Sequence, residues 1–301
     1  MNEIPLVSII VPCFNSGSTI SRTIDSIIRQ SWKNTELIIV NDGSTDASTI
    51  ELLDLFSNQK NIKVHSQMNK GLASARNSGI KISKGEYILP LDADDWLDEN
   101  AIEIMLNQNI RDNSNSIVYS DINLVGVKEG LKKTYCNPIE QLFSNQLPYC
   151  MLIPKNKIDE INGYDENFVN GLEDWDLNLR LLLSGSNFIK INKAVFYYST
   201  LPSGMFWNNT SKKFGFIFEE IRNKHLFNYK LSNMRKNFKI SKKFPSKRWI
   251  IIYFGINIIY IMIPTKVINF LYSSAYKLRS KTTLFRYFNK SVLNKFKDKH
   301  K

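Results

Sequence analysis

Two groups of acidic side chains in this sequence have the types and spacing to do chemistry. The first is Asp92, Asp94 and Asp95, three carboxylates within four positions, directly after the apolar run Tyr87-Ile88-Leu89-Pro90-Leu91. A short apolar run of this kind reads as a buried strand, and in open α/β sheets ligands bind just beyond the carboxyl ends of the strands. Carboxylates this close raise one another's pKa unless a cation is present. A hard divalent ion such as Mg²⁺ or Mn²⁺ takes oxygen ligands and removes that cost. The competing reading is a helix start, with Asp95 or Asp98 capping a helix from about Asp98 to Asn109. Capping accounts for Asp95 and Asp98 but not for Asp92 at a strand's exit.

The second group is Glu173-Asp174-Trp175-Asp176, inside Gly171–Arg180. Leu177 and Leu181, with Leu182 as a further candidate, recur at helical spacing, so the acids open a helix. An acidic first turn complements the helix dipole. A positioned carboxylate can also take the proton from a hydroxyl nucleophile.

Strands and helices must hold these groups. Leu6–Val11 reads as a strand ended by Pro12, with a loop at Cys13–Gly17 and Ser18 as the N-cap of a helix reaching Gln30. Glu36–Val40 is a second strand, followed by the polar turn Asn41–Asp46 and a helix to about Phe56. Ile62–His65 is a third strand, and Leu72–Ile82 a helix carrying Arg76 and Asn77. Strands alternating with helices predict an α/β fold with a mostly parallel sheet. GxGxxG after the first strand and GxxxxGK[ST] are both missing from the sequence, which disfavours dinucleotide and P-loop sites. Asp42 can accept from a base N–H or a ribose hydroxyl, or serve as a turn residue before Gly43. Arg76 can pair with a phosphate or stack on a base, or lie on a solvated helix face.

Four ordered stretches carry a resemblance: Val7–Asn15, Glu36–Asp46, Asn69–Asn77 and Leu91–Asp95. Over residues 5–200 the chain resembles the family 2 glycosyltransferases of the GT-A fold, in which a mostly parallel mixed sheet is flanked by helices. The resemblance implies a nucleoside diphosphate sugar donor, most often a UDP-sugar. Pro12, Phe14, Asn15 and Asp42 would hold the base, Arg76 would contact the nucleotide, and Asp92 would lie on the ribose side. Asp94 would ligate Mn²⁺ or Mg²⁺ on the diphosphate. Asp174 would be the catalytic base of an inverting transfer, with Glu173, Trp175 and Asp176 binding a glycan or lipid-linked acceptor. By resemblance the product belongs to a surface polysaccharide such as capsule or O-antigen. One departure stands out. Where many relatives carry Arg or His on a strand ahead of a Ser-rich loop, this chain has Phe196-Tyr197-Tyr198-Ser199-Thr200, so Tyr198 replaces the basic residue; Ser203 and Gly204 follow as a candidate lid or a plain loop. Acceptor contacts are expected within Ser120–Leu152, where nothing reads out chemically.

Charge divides the chain. Residues 206–301 hold 22 Lys and Arg against 3 Asp and Glu, a formal +19, which leaves −7 on the rest of a chain whose total is +12. We expect a catalytic domain at 1–205 and a basic helical region at 206–301. Trp249–Thr265 is free of charge but shorter than the ~20 apolar residues a spanning helix needs. Amphipathic basic stretches follow, with Val267, Phe270 and Leu271 and then Phe285, Phe288 and Val292 on their apolar faces. Such helices lie in the headgroup plane of anionic membranes; a helical subdomain packed on the catalytic domain is the alternative. Met1–Pro5 has no basic run, and Leu6–Val11 is too short for a signal-peptide core. Cys13, Cys136 and Cys150 make no disulfide framework. The expectation is a catalytic domain on the cytoplasmic face of the inner membrane, peripheral or re-entrant. Two other classes stay open: a nucleotidyltransferase using the same strand-end carboxylates, and a nucleic-acid binder using the basic tail. The long apolar run argues against nucleic acid as a partner.

Overall fold

The computed structural model describes residues 4–112, 115–138, 140–142, 144–169, 171–201 and 219–225. They belong to two compact units, one holding residues 4–201 and the other represented by 219–225, of which 219–224 are helical. The expected boundary near 205, the pair Ser203 and Gly204, the run Trp249–Thr265 and the amphipathic stretches after it lie outside the described residues. Among the described residues no helix is long and apolar enough to cross a membrane.

In chain order the first unit contains β1 (Val7–Cys13), α1 (Ile20–Ile28), β2 (Thr35–Asp42), α2 (Ala47–Ser57), β3 (Ile62–Gln67), α3 (Leu72–Ile82), β4 (Tyr87–Pro90), β5 (Trp96–Leu97) and α4 (Ala101–Arg111). It continues with β6 (Ser116–Tyr119), β7 (Ile122–Gly126), β8 (Gly130–Lys132), a 3₁₀ turn at Glu140–Leu142, β9 (Ile153–Pro154), α5 (Lys155–Glu160), α6 (Glu173–Leu183), β10 (Asn187–Lys190) and β11 (Phe196–Thr200). The main sheet runs β3-β2-β1-β4-β9, parallel except for β9. The chain leaves β1 on one side for β2 and β3, then returns on the other side for β4. That reversal opens a crevice at the carboxyl ends of β1 and β4. Smaller sheets pair β6 with β10 and order β5-β11-β7-β8.

Helices cover both faces of the main sheet, which is why β1 reads as an unbroken apolar run. Val7, Ile9 and Val11 join Leu37, Ile39 and Leu89 in one core with Ile20, Ile24, Met105 and Leu106. Ile10, Ile38, Val40 and Ile88 face the other core, with Ala75, Ile80, Leu177 and Leu181.

Four local expectations are corrected. Pro12 does not end β1, which continues to Cys13. Ile10 O accepts Leu91 N, so the alternation of the strand turns Pro12 toward β4 as well. By then β4 has ended, at the Ile10–Pro90 pair, so the missing N–H leaves no ladder bond unmade. Asp42 is the last residue of β2 rather than part of the turn. Ser18 is not a cap: α1 begins after Thr19, whose hydroxyl bonds Ser16 O. Nor is Asp95 a cap; α4 starts at Ala101, after Asn100, and Asp95 is fully buried elsewhere.

Gly79 fixes how closely α3 approaches the sheet. A Cβ there would sit 2.4 Å from Ile10 Cγ2 and 3.2 Å from Val40 Cγ2. In an exposed helix interior, Ala in place of Gly gains about 1 kcal/mol. Here overpacking of roughly 1–3 kcal/mol opposes that gain. Gly79→Ala is therefore expected to lower the urea midpoint of the full chain; a raised midpoint would show that α3 can shift outward freely.

Candidate active site

The ends of β1 and β2 are tied together by Asn15. Its Oδ1 accepts Thr45 N (2.8 Å) and Asp46 N (3.2 Å), and its own N–H donates to Ser44 Oγ at 3.1 Å. Asn15 sits at φ +49°, the left-handed region that Asn tolerates better than most residues. Phe14 beside it is half exposed at 48%, while Pro12 is buried within β1. Asp42 is only 4% exposed. Its carboxylate takes Lys70 N, Gly71 N and Gln67 Nε2, each at 2.8 Å. Asp42 thus anchors the loop that starts α3.

Arg76 is the largest departure from a solvated helix face, since it is 1% exposed. Nη2 binds Asp92 Oδ1 and Nη1 binds Glu173 Oε1, both at 2.6 Å. Tyr149 and Tyr164 place their rings 5.1 and 5.2 Å from its Cζ. Burial opposes its charge, but the Asp92, Tyr164 and Glu173 groups outweigh it and hold Arg76 protonated. The next residue, Asn77, bonds Tyr164 O at 2.9 Å and Tyr164 N at 2.8 Å, securing the loop ahead of α6.

The three strand-end acids do different things. Asp92 is held by Arg76, and its N–H donates to Tyr149 Oη at 3.0 Å. Asp95 takes Ser199 N at 2.7 Å and the Tyr149 hydroxyl, and burial raises its pKa further than its acidic neighbours do. Asp94 is partly exposed, and no hydrogen bond joins its carboxylate to another residue among those described. Burial and then Asp92 push it up to about 6. Arg22 of α1, which the sequence reading passed over, lies 3.7 Å over the Trp96 ring. It donates to Asp94 O (2.9 Å) and Ser199 Oγ (3.0 Å), and Trp96 stacks on Tyr197 at 5.3 Å.

Among the described residues no three His, Cys, Asp or Glu side chains are gathered to cage a metal. A hard divalent cation prefers oxygen donors, and the partly exposed Asp94 carboxylate is the group that would hold one here. Tyr198 packs its ring against Phe196 and Tyr149 at 6.3 and 6.5 Å. It adds no positive charge.

At the start of α6, Gly171 (φ +96°) and Leu172 (φ +68°) turn the chain sharply into the helix. A branched side chain in the left-handed region is strained, and such strain collects at functional sites. Asp174 is partly exposed, and its Oδ2 accepts Asn145 Nδ2 at 2.8 Å. Burial raises the pKa of both Glu173 and Asp174, and Arg76 acts against that rise in each. Trp175 and Asp176 are corrections: both are 0% exposed. Trp175 Nε1 donates to Gln141 O at 2.6 Å, and Asp176 Oδ2 pairs with Arg180 Nε at 2.7 Å. They secure α6 rather than offer surface to an acceptor. Glu173, 5% exposed and paired with Arg76, likewise serves the internal bridge.

The arrangement sets the partly exposed, uncommitted Asp94 carboxylate at a strand exit and the partly exposed Asp174, bonded to Asn145, at the start of α6. Residues 8–157 match the family model described as Glycosyl transferase family 2. The chain belongs to glycosyl transferase family 2. Among similar proteins, the chondroitin synthase of Escherichia coli is 31% identical over 202 residues, covering 65% of this chain and 29% of that protein. The hyaluronan synthase of Pasteurella multocida is 39% identical over 121 residues, covering 40% of this chain and 12% of that protein. This family 2 chain therefore spans well under half the length of these relatives. Among solved structures, S. aureus TarS 1–349 in complex with UDP-GlcNAc superposes with a TM-score of 0.62 at 17% identity, covering 73% of this chain and 66% of that one. That likeness shows the fold, a GT-A-like mixed α/β domain.

Two outcomes test the geometry of this family 2 site. Removing one partner of a buried ion pair costs about 3–5 kcal/mol, so Arg76→Met should lower thermal stability sharply, with Asp92 and Glu173 left unpaired. Loss of donor binding with stability intact would instead make Arg76 a ligand contact. Asp94 acts in the opposite sense. Its folded-state pKa of about 6 lies above its ordinary value of 3.8, so the folded chain binds that proton more tightly and stability falls as the pH rises through this window. Asp94→Asn in EDTA should therefore melt roughly 2 °C above the parent at pH 7.5. The gap should narrow as the pH falls through this window and close below the carboxyl's ordinary value of 3.8, which differential scanning calorimetry would read.

Proposed function

We propose that this chain transfers a sugar, with inversion, from a UDP-sugar to a hydroxyl of a glycan or lipid-linked acceptor in polysaccharide synthesis. The observation that supports this reading is the Arg76 bridge between Asp92 and Glu173, which ties the strand exit that carries Asp94 to the helix start that carries Asp174. The names of the E. coli and P. multocida relatives support polysaccharide synthesis, and the UDP-GlcNAc bound to TarS supports a uridine nucleotide donor.

In this reading the Phe14–Asn15 loop and the loop anchored by Asp42 bind the base, and Asp92 orients the ribose side. Asp94 holds Mn²⁺ or Mg²⁺, which when bound offsets charge on the diphosphate. Arg22, clamped between Trp96 and the Asp94 carbonyl, supplies positive charge on the same side. The acceptor hydroxyl gives its proton to Asp174 while its oxygen bonds to the anomeric carbon. The bond from that carbon to the diphosphate oxygen breaks in the same step, and the nucleoside diphosphate leaves with the electron pair. Charge at the anomeric carbon has oxocarbenium character, and juxtaposing the two substrates lowers the barrier further. The +19 charge of residues 206–301 fits attraction to an anionic membrane surface, where a lipid-linked acceptor would be met.

Asp174→Asn is nearly isosteric and should keep UDP-sugar binding while turnover falls about 100-fold or more. Calorimetric titration with UDP in Mn²⁺, beside a transfer assay over a panel of UDP-sugars, reads both. Undiminished transfer would remove Asp174 as the base and favour nucleotidyl chemistry; absence of binding by every uridine nucleotide would remove the donor assignment.

A further inference from the structure

The stretch between β8 and β9 contains no chemical motif, yet it delivers an amide to Asp174. Asn145 Nδ2 donates to Asp174 Oδ2 at 2.8 Å. The orientation of that amide is fixed from behind. Its Oδ1 accepts Gln141 Nε2 at 2.6 Å and Asn178 Nδ2 at 3.2 Å, so a flipped amide would set nitrogen against two donors. Gln141 is itself locked. It is 0% exposed, its Oε1 accepts Gln146 N at 2.9 Å, and its carbonyl takes the Trp175 indole N–H at 2.6 Å. Asn178 and Trp175 belong to the same helix as Asp174. The 3₁₀ turn at Glu140–Leu142 is therefore joined to α6 directly through Gln141 O and Trp175 and indirectly through Asn145 and Asn178, and Asn145 is the group presented to the carboxylate.

We propose that Asn145 is the positioning residue of the base: it holds Oδ2 of Asp174, beside the Trp175 backbone N–H that also bonds this carboxylate, and so sets the orientation in which the carboxylate meets the acceptor hydroxyl. This rests on the reading of Asp174 as the base. A carboxylate held by both an amide and a backbone N–H keeps one orientation, which is what proton transfer from a bound hydroxyl requires. Donation to the charged form also favours ionisation. It works beside Arg76 from α3 and Lys132 from β8, and against Asp92, Glu173 and burial; the hydroxyls of Tyr164 and Tyr198 complete the titratable surroundings.

The test uses the full chain with Asn145→Ala and the isosteric Asn145→Asp, beside Asp174→Asn. Turnover is followed as UDP release from whichever of UDP-glucose, UDP-galactose, UDP-GlcNAc and UDP-glucuronate the parent consumes fastest, and donor-site integrity as the Kd for UDP. Both Asn145 variants should keep the UDP Kd within twofold while kcat falls about 10- to 100-fold. The acid limb of the kcat profile should move to higher pH, further in Asn145→Asp, where a second carboxylate faces the first. An unmoved acid limb, or kcat within twofold of the parent, would overturn the assignment. So would a rise in the UDP Kd that matches the loss of kcat, since that marks a merely structural residue. Asp174→Asn separates the two readings: full turnover there removes the base itself, whereas an inactive Asp174→Asn with active Asn145 variants removes only the positioning role.

Discussion

One buried guanidinium organises the crevice. A charge this deeply buried is tolerated only if it is paired and hydrogen-bonded, and Arg76 meets that condition with two carboxylates from distant parts of the chain and two aromatic faces. Asp92 belongs to the exit of β4 and Glu173 to the start of α6, so satisfying Arg76 brings a strand end and a helix start together. The pairing also sorts each acidic cluster. Asp92 and Glu173 are committed to Arg76, while Asp95 and Asp176 are committed to Tyr149 with Ser199 and to Arg180. Asp94 and Asp174 are the partly exposed members that remain. Three acids in four positions look redundant in a sequence; in the fold they divide into scaffold and surface.

The parts of this arrangement that could be read in advance are those whose cause is local. β1, β2 and β4 carry apolar runs, β3 alternates Ile62 and Val64 with polar residues, and α3 has the expected bounds, Leu72–Ile82. Asp94 and Asp174 stand out because like charges close in sequence need a reason. What escaped depends on partners far along the chain. Pro12 signals a strand end to its neighbours, but whether its missing N–H matters depends on where β4 stops. Trp175 and Asp176 share a motif with Asp174, and only the packing of Gln141 and Arg180 shows that they turn inward. Arg22 is one polar residue on an amphipathic helix, indistinguishable by pattern from Ser21 or Arg29 until Trp96 is laid beneath it. Asn145 lies in a stretch without periodicity, and its significance comes from a contact across 29 residues.

The small third sheet has a related logic. β5 is two residues long and would not persist by itself, yet it is paired to β11 and lies just beyond Asp94 and Asp95. Thr23 of α1 bonds Asp95 O at 2.7 Å from the other side. The acidic turn is thus gripped by a helix and a strand, so its backbone is set by neighbours rather than by a cap. That rigidity suits a group with one carboxylate to present, because loops left to themselves hold side chains less accurately than packed elements do.

The antiparallel pairing of β9 with β4 marks a seam. Before it, residues 7–97 form a contiguous half whose strand order and crevice are complete in themselves, apart from the late strand β11 that grips the acidic turn. After it, residues 116–200 fold as short strands and helices against that half. Polar links that cross the seam among the described residues include the Arg76–Glu173 pair, the Tyr149 and Ser199 bonds to Asp95, the Arg22 bond to Ser199, the Lys155 bonds to Ile80 O and Glu86 O, and the Asn77 clasp on Tyr164. The parallel ladder of β1–β4 is made within the earlier half, so the two sides of the seam can diverge at different rates among descendants of one ancestor.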